Sequence, residues 1–286
     1  MIKNAFMPLR RLATAIAIVL AISGVARAQE PLPDAEAFLA QSLKKLRSND
    51  LVRSQYRYEE RETRYSYDQD GRVTKTQVRI YEVAPSPDPE LTYRRLILED
   101  GVRPPDLAKR DDEQRRKERE WLARRELEGL DEREARLRKR EIEERKEQAV
   151  VAELPLIFDI RLTGRETIDG RPAIRFTFAP RPEYEARTPE GRIINHFGGE
   201  AWIDETDHEL VRLKVEVLRT VSVKFAFLVR LLNGSRGVME RRRIDGDAWL
   251  PTYSRFTGSA RVMLIRRVDL DEVNEYYRYT KRDPGR

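Results

Sequence analysis

HFGGEAWIDETDHELVRLKVEVLRTVSVKFAFLVRLL, residues 196–232, is the stretch whose reading decides the fold. Trp202 and Ile203 follow Gly198-Gly199 and run into the turn formers Asp204-Glu205-Thr206-Asp207. Val211, Leu213, Val215 and Val217 then alternate with Arg212, Lys214 and Glu216. After Arg219-Thr220, Val221, Val223, Phe225, Phe227 and Val229 share one face of a third strand, which is expected in the middle of the sheet. Alternation with period two sends successive side chains to opposite faces, so the pattern describes a sheet with one face covered and one wet.

The same pattern continues on both sides. Upstream, residues 158–168 form a strand, Asp169-Gly170 turns the chain, and Ile174, Phe176 and Phe178 mark the return; residues 183–194 read as a polar loop. Downstream, Asn233-Gly234 turns into residues 238–244, and Asp245-Gly246-Asp247 leads to Trp249-Leu250-Pro251. A long strand covers 253–265, with a bulge or bend expected at Gly258, and a last one covers 273–279. Near the start of the chain, 56–67 and 73–83 flank the hairpin turn 68–71, and 93–98 follows a proline loop. About eleven hairpin-connected strands result.

Two segments break the period. Asp34 can cap a helix on which Phe38, Leu39, Leu43 and Leu46 share a side, a helix suited to cover the sheet. Residues 109–148 are mostly Arg, Lys, Glu and Asp, good helix formers in i,i+4 register. They read as two helices, about 107–128 and 131–149, separated by Gly129. Trp121, Leu122, Leu127, Leu130, Leu137 and Ile142 sustain no heptad, so this is a solvated helical insertion or a docking arm for a partner. The fold class is α+β: a large curved antiparallel sheet, an N-terminal covering helix and a charged helical insertion.

The first 28 residues stand apart. Lys3, Arg10 and Arg11 precede the apolar run 12–22, and Ala26-Arg27-Ala28 offers small residues at a cleavage site. This predicts a signal peptide cut after Ala28 and an exported, periplasmic protein. The expected division is 1–28 leader, 29–106 helix and first strands, 107–150 insertion, and 151–286 the remaining strands. Removing Lys3, Arg10, Arg11 and Arg27 lowers the formal charge from +6 to +2, so the basicity is no argument for nucleic acid binding. The absence of cysteine excludes disulfides, thiolate metal sites, a cysteine nucleophile and a lipidated cysteine. No further apolar run reaches spanning length, so an integral membrane protein is not expected.

No catalytic, cofactor or metal residue can be named. His196 and His208 lie in no ligand spacing and read as loop or surface residues; the acid pairs Asp204/Asp207 and Asp245/Asp247 sit in turns. Nucleophile elbows, phosphate loops and dinucleotide fingerprints are missing. What remains is apolar surface: Phe176, Phe178, Trp202, Val215, Val217, Val223, Phe225, Phe227, Met239, Trp249 and Phe256. A closed sandwich would use these as plain core. A half-open sheet under one short helix would leave more apolar wall than cover, and such a cavity takes an acyl chain or an apolar peptide.

The block Phe197-Gly-Gly199-x-x-Trp202-Ile203-Asp204, followed by Trp249-Leu250-Pro251, resembles the periplasmic LolA/LolB/RseB-like carrier superfamily, in particular its uncharacterised lipoprotein-sorting-like members. The resemblance is specific over roughly residues 155–280. It implies an unclosed, half-barrel-like sheet with helices as a lid and a lipid-modified or apolar partner, and it brings no catalytic residues. The expected function is therefore a soluble, non-enzymatic periplasmic protein holding an acyl chain, lipid or lipoprotein in the half-barrel. The alternative is an interaction or envelope-stress-sensing protein that docks an envelope partner through 107–150. The charged segment departs from the simple carriers.

Overall fold

In the computed structural model the described residues are 31–45, 52–86, 92–224, 228–246, 248–262 and 266–282. The leader, its cleavage site, Phe225 and Phe227 lie outside them, as does the side chain of Val223. From Asp34 onward the chain forms one unit. Its strands are β1 (Tyr56–Tyr67), β2 (Val73–Ala84), β3 (Tyr93–Glu99), β4 (Phe158–Ile168), β5 (Arg171–Pro180), β6 (Phe197–Asp204), β7 (Leu210–Val217), β8 (Val221–Lys224), β9 (Leu228–Leu231), β10 (Arg236–Ile244), β11 (Ala248–Val262) and β12 (Arg266–Lys281). The helices among the described residues are α1 (Ala35–Lys45), α2 (Leu107–Glu126), α3 (Leu130–Ile157) and α4 (Pro189–Ile194).

All twelve strands belong to one unclosed antiparallel sheet, ordered β3-β2-β1-β12-β11-β10-β7-β6-β5-β4, with the β8–β9 hairpin attached to β11. The α+β class and the unclosed antiparallel sheet stand, with twelve strands among the described residues where about eleven were expected. The first strand and the last pair with each other, Glu60 opposite Tyr276 and Glu62 opposite Asn274. The ten-strand path ends at β3 on one side and β4 on the other. Because α2 follows β3 and α3 leads into β4, the charged helices form the connection between opposite edges of the sheet.

Local chemistry explains most boundaries. Asp34 Oδ1 accepts the Ala37 N–H at 2.8 Å and caps α1, whose last turn carries Lys44 and Lys45. Asp68 Oδ1 accepts from the N–H groups of Asp70 and Arg72 and fixes the β1–β2 turn. Along α2 and α3, Arg116–Glu120, Arg138–Glu134 and Arg145–Glu141 pair at i,i+4 spacing. At the joint, Glu128 accepts from Arg125 and, bidentately, from Arg136.

Four readings change. Residues 221–231 are not one mid-sheet strand: β8 and β9 pair with each other, Val221 opposite Leu231 and Lys224 opposite Leu228. Period two assigns a face to each residue but is blind to a reversal that uses no Gly, Asn or Pro. α3 does not stop before Pro155 but runs through it to Ile157. Tertiary contacts outweigh the lost backbone bond, since Ile157 is 1% exposed and clusters with Phe158 and Ala186. Of the bulge or bend expected at Gly258 the bulge is absent; the residue pairs in register with Leu270, and a side chain there would overlap Ser235, whose hydroxyl donates to Leu232 O. The loop 183–194 contains α4, begun by the N-cap Thr188 and Pro189 at the first position, signals present in the sequence.

Candidate functional site: an apolar cavity under two helices

Cross-strand partners share a face, so the registers trace rows across the sheet. One row runs Leu162, Phe176, Ala201, Leu213, Met239; the next runs Ile160, Phe178, Gly199, Val215, Gly237, Phe256. Gly199 and Ala201 keep this floor low between the rings of Phe176 and Phe178 and the side chains of Leu213 and Val215. At Gly199 a Cβ would collide with the carbonyl of Lys214, so only glycine fits the approach of β7.

Over this floor lies a cavity of about 430 Å³, within the roughly 300–1,000 Å³ usual for ligand pockets. Phe158, Ile160, Phe176 and Phe178 form one wall, Ala201, Ile203, Leu210, Leu213 and Val215 the floor. Leu39, Ser42 and Leu43 of α1 and Leu154 of α3 form the cover, and Ile194, Phe197 and His208 close the ends. Among the described residues of this lining the only polar side chains are Ser42 and His208. Phe38 anchors α1: it is 4% exposed, stacks on Phe176 at 6.0 Å between centroids, and packs with Ile174 and Ile203.

The cover at α3 is fastened by Glu153. Its carboxylate accepts from the Tyr184 hydroxyl, from the N–H groups of Arg187 and Thr188, and from the Thr188 hydroxyl. Burial pushes this carboxyl up, but the bonds from Thr188, Arg187 and Tyr184 outweigh it and hold it at about 2. The turn carrying His208 is organised by Asp204, which is fully buried and accepts from Arg171 and from the N–H groups of Thr206 and Asp207. Burial raises the Asp204 carboxyl, and the Arg171 and backbone bonds more than reverse this.

The residues expected at the site divide. Phe176, Phe178 and Val215 line the cavity. Val217, opposite Phe197, and Met239 and Phe256 occupy the same face beyond it. Trp202 does not join them. Ala201 and Ile203 face the cavity, so Trp202 between them takes the outer face, where it is 2% exposed under Lys214, Arg175 and Arg212 at 5.0, 5.5 and 5.6 Å from its ring. Trp249 is buried elsewhere, its Nε1 donating to Asp207 at 3.1 Å with Arg171 near its ring. His208, read as a loop or surface residue, is half-buried against Phe38. Parity along β6 and β7 could have named Phe197, Ala201, Ile203 and Leu213; nothing in the sequence pointed to Leu154 or His208.

Along the first row the apolar surface ends at β11. Ser254, Asn274, Glu62 and Arg79 continue the first row. Arg94 bonds Glu60 and Glu62 at 2.8–3.0 Å with its guanidinium 3.5 Å from the Tyr81 ring centre. One half of the face is therefore apolar and under helices, the other salt-bridged. Among the described residues no cluster of three or more His, Asp or Glu could hold a metal, and no helix is long and apolar enough to cross a membrane.

No family model matches the chain, and no curated protein matches it. Among solved structures it is similar to a DUF1329 family protein from Desulfovibrio piger, with 11% identity over 89% of this chain and 95% of that one and a TM-score of 0.31. It is similar to a LolA superfamily protein from Nitrosomonas europaea, with 11% identity over 85% and 94% and a TM-score of 0.27. A third is the Pseudomonas aeruginosa MucA/MucB complex, with 10% identity over 83% and 94% and a TM-score of 0.24.

Proposed function

We propose that this is a non-catalytic periplasmic binding protein, exported through its leader, that holds an acyl chain of a lipid or lipoprotein between the β4–β7 face, α1 and the end of α3. The observation that carries the reading is the cavity lining: about 430 Å³ walled by apolar side chains apart from Ser42 and His208. An apolar ligand is stabilised there by leaving water, and no charge has to be desolvated to admit it. Lipid extraction and mass spectrometry of protein purified from its own cell envelope test it. Co-purifying acyl species near one per chain are expected; protein that carries none and takes up none from lipid vesicles would overturn the reading. Export is checked by N-terminal sequencing, which should begin at Gln29.

One feature favours a second role for the connecting helices. Leu127 and Leu130 at their joint are 84% and 81% exposed, and Leu122, Leu137 and Ile142 are also uncovered. In this reading the helices dock an envelope protein. Cross-linking in the periplasm should then capture one stoichiometric partner, lost in the double variant Leu127→Ser/Leu130→Ser. An unchanged cross-linking pattern would remove this role.

A further inference from the structure

We propose that the sheet carries a second, separate binding site on its opposite face, a phosphate site built on Arg57, Thr280 and Arg282. Cross-strand partners again define the face. Arg95 stands opposite Glu82, Glu82 opposite Glu59, and Arg57 opposite Thr280. Glu62 continues the cavity row, so by alternation along β1 both Arg57 and Glu59 take the other side. A cleft of about 370 Å³ opens there, with Arg57, Glu59, Glu82, Arg95, Arg278 and Thr280 on its wall. The sheet separates it from the apolar cavity, and the proposal stands apart from the acyl-binding reading.

The acids of this cleft are already matched. Arg95 donates to Asp111 of α2 at 2.8 and 2.7 Å and to Glu82 at 2.7 Å. Arg278 holds Glu59 at 2.8 and 3.0 Å. Two guanidiniums remain. Arg57 is exposed, Arg282 is half-buried, and among the described residues neither forms an ion pair. The Arg282 N–H on Gln55 O at 2.7 Å fixes that residue beside β1, two positions beyond Thr280. Burial and the charge of Arg57 both disfavour the charged form of Arg282, and Glu118 of α2 opposes them. The backbone is shaped at the same place. Arg278 and Tyr279 of β12 stand where β1 has only Tyr58, a bulge in which Arg278 takes φ +56°. The bulge sends the Tyr279 ring to Tyr56 and Tyr58 and leaves Arg278 on the cleft wall.

Two unpaired guanidiniums from adjacent strands, with a hydroxyl between them, call for an oxyanion. A carboxylate offers its oxygens in one plane, whereas a phosphate offers them in three dimensions and suits donors that arrive from two strands. Inorganic phosphate, a phosphomonoester and the phosphodiester of a lipid headgroup share this chemistry.

The test has two arms on the whole mature chain: calorimetric titration with inorganic phosphate at low salt, and flotation with phosphatidylglycerol vesicles. Binding is expected in at least one arm. Arg57→Gln and Arg282→Gln should each weaken it roughly ten- to hundredfold, the worth of a charged hydrogen bond. The Arg57 side chain bonds no other described residue, so its variant carries no folding penalty. Arg61→Gln removes the same charge from the same face of β1, where it meets only Glu275 at 3.9 Å, and should leave binding unchanged. Calorimetric binding lost in both variants identifies free phosphate as a source; vesicle binding lost in both identifies a lipid headgroup. No binding in either arm overturns the site. So does binding that either variant keeps, or that Arg61→Gln loses to the same degree.

Discussion

Thr188 donates to Glu153 twice, through its N–H at 3.1 Å and its hydroxyl at 2.5 Å, so the cap of α4 is tied to the end of α3. Leu154, the next residue, lines the cavity, and Ile194 at the far end of α4 does too. Glu153→Ala removes a buried carboxylate that accepts from Thr188 and Arg187 and should cost about 1–3 kcal/mol. The pH dependence follows in sign. A carboxyl held at about 2 when folded, against 4.5 when free, contributes stability that is complete above the free value and is lost as pH falls toward 2. Urea unfolding at a series of pH values should show a loss below pH 4.5 in wild type that is reduced in Glu153→Ala.

Core and cavity wall should respond differently to truncation. Ile174 is 0% exposed and packed on all sides, whereas Phe178 is only half-buried and borders the cavity. Ile174→Ala should cost about 2–5 kcal/mol, and Phe178→Ala less than the roughly 3–5 kcal/mol of a fully packed phenylalanine. Denaturant titration of both variants without ligand checks this. A full core loss at Phe178 would mean that no cavity adjoins it.

Filling the cavity is the complementary experiment. Ala201 lies on its floor between Phe176 and Leu213. Ala201→Leu should keep the thermal midpoint within a few degrees, because empty volume takes the added carbons without the roughly 1–3 kcal/mol of overpacking. Binding of N-phenylnaphthylamine should fall at least tenfold. A destabilised variant with unchanged probe binding would place the ligand elsewhere.

The charged helices connect β3 to β4, which stand at opposite edges of a ten-strand path. Nine inter-strand spacings amount to roughly 43 Å along the sheet. With 20 and 28 residues, α2 and α3 are about 30 and 42 Å long. Replacing residues 113–149 by four Gly/Ser residues, with a reach of about 14 Å, should abolish cooperative unfolding. Replacement by some thirty flexible residues should preserve it. Survival of the four-residue version would show that curvature brings the two edges close together.

Strand by strand, the sheet was legible wherever side-chain alternation and a turn former coincided, as at Tyr56–Tyr67 and Phe158–Ile168. The misses have different causes. Lys224 and Leu228 face each other with no turn residue between them, and Pro155 stays helical because Ile157 is buried against Phe158 and Ala186. For the site, hydrophobicity alone grouped Trp202 with Phe176, although strand parity separates Trp202 from Ala201 and Ile203. The position of His208 was illegible, because it depends on a turn that Asp204 and Arg171 assemble from different hairpins.

The pairing of β1 with β12 has a consequence for assembly in time. Until β12 is in place, β1–β3 and the block from β4 to β11 are two separate sheets, each with an open edge toward the other. The seam joins Glu62 to Asn274, contacts of extreme sequence separation, so loop closure is met late and folding is slow. A chain emerging N-terminus first exposes unpaired edges on β1 and β11 until its last strand arrives, and during that interval it depends on protection from strand-to-strand association.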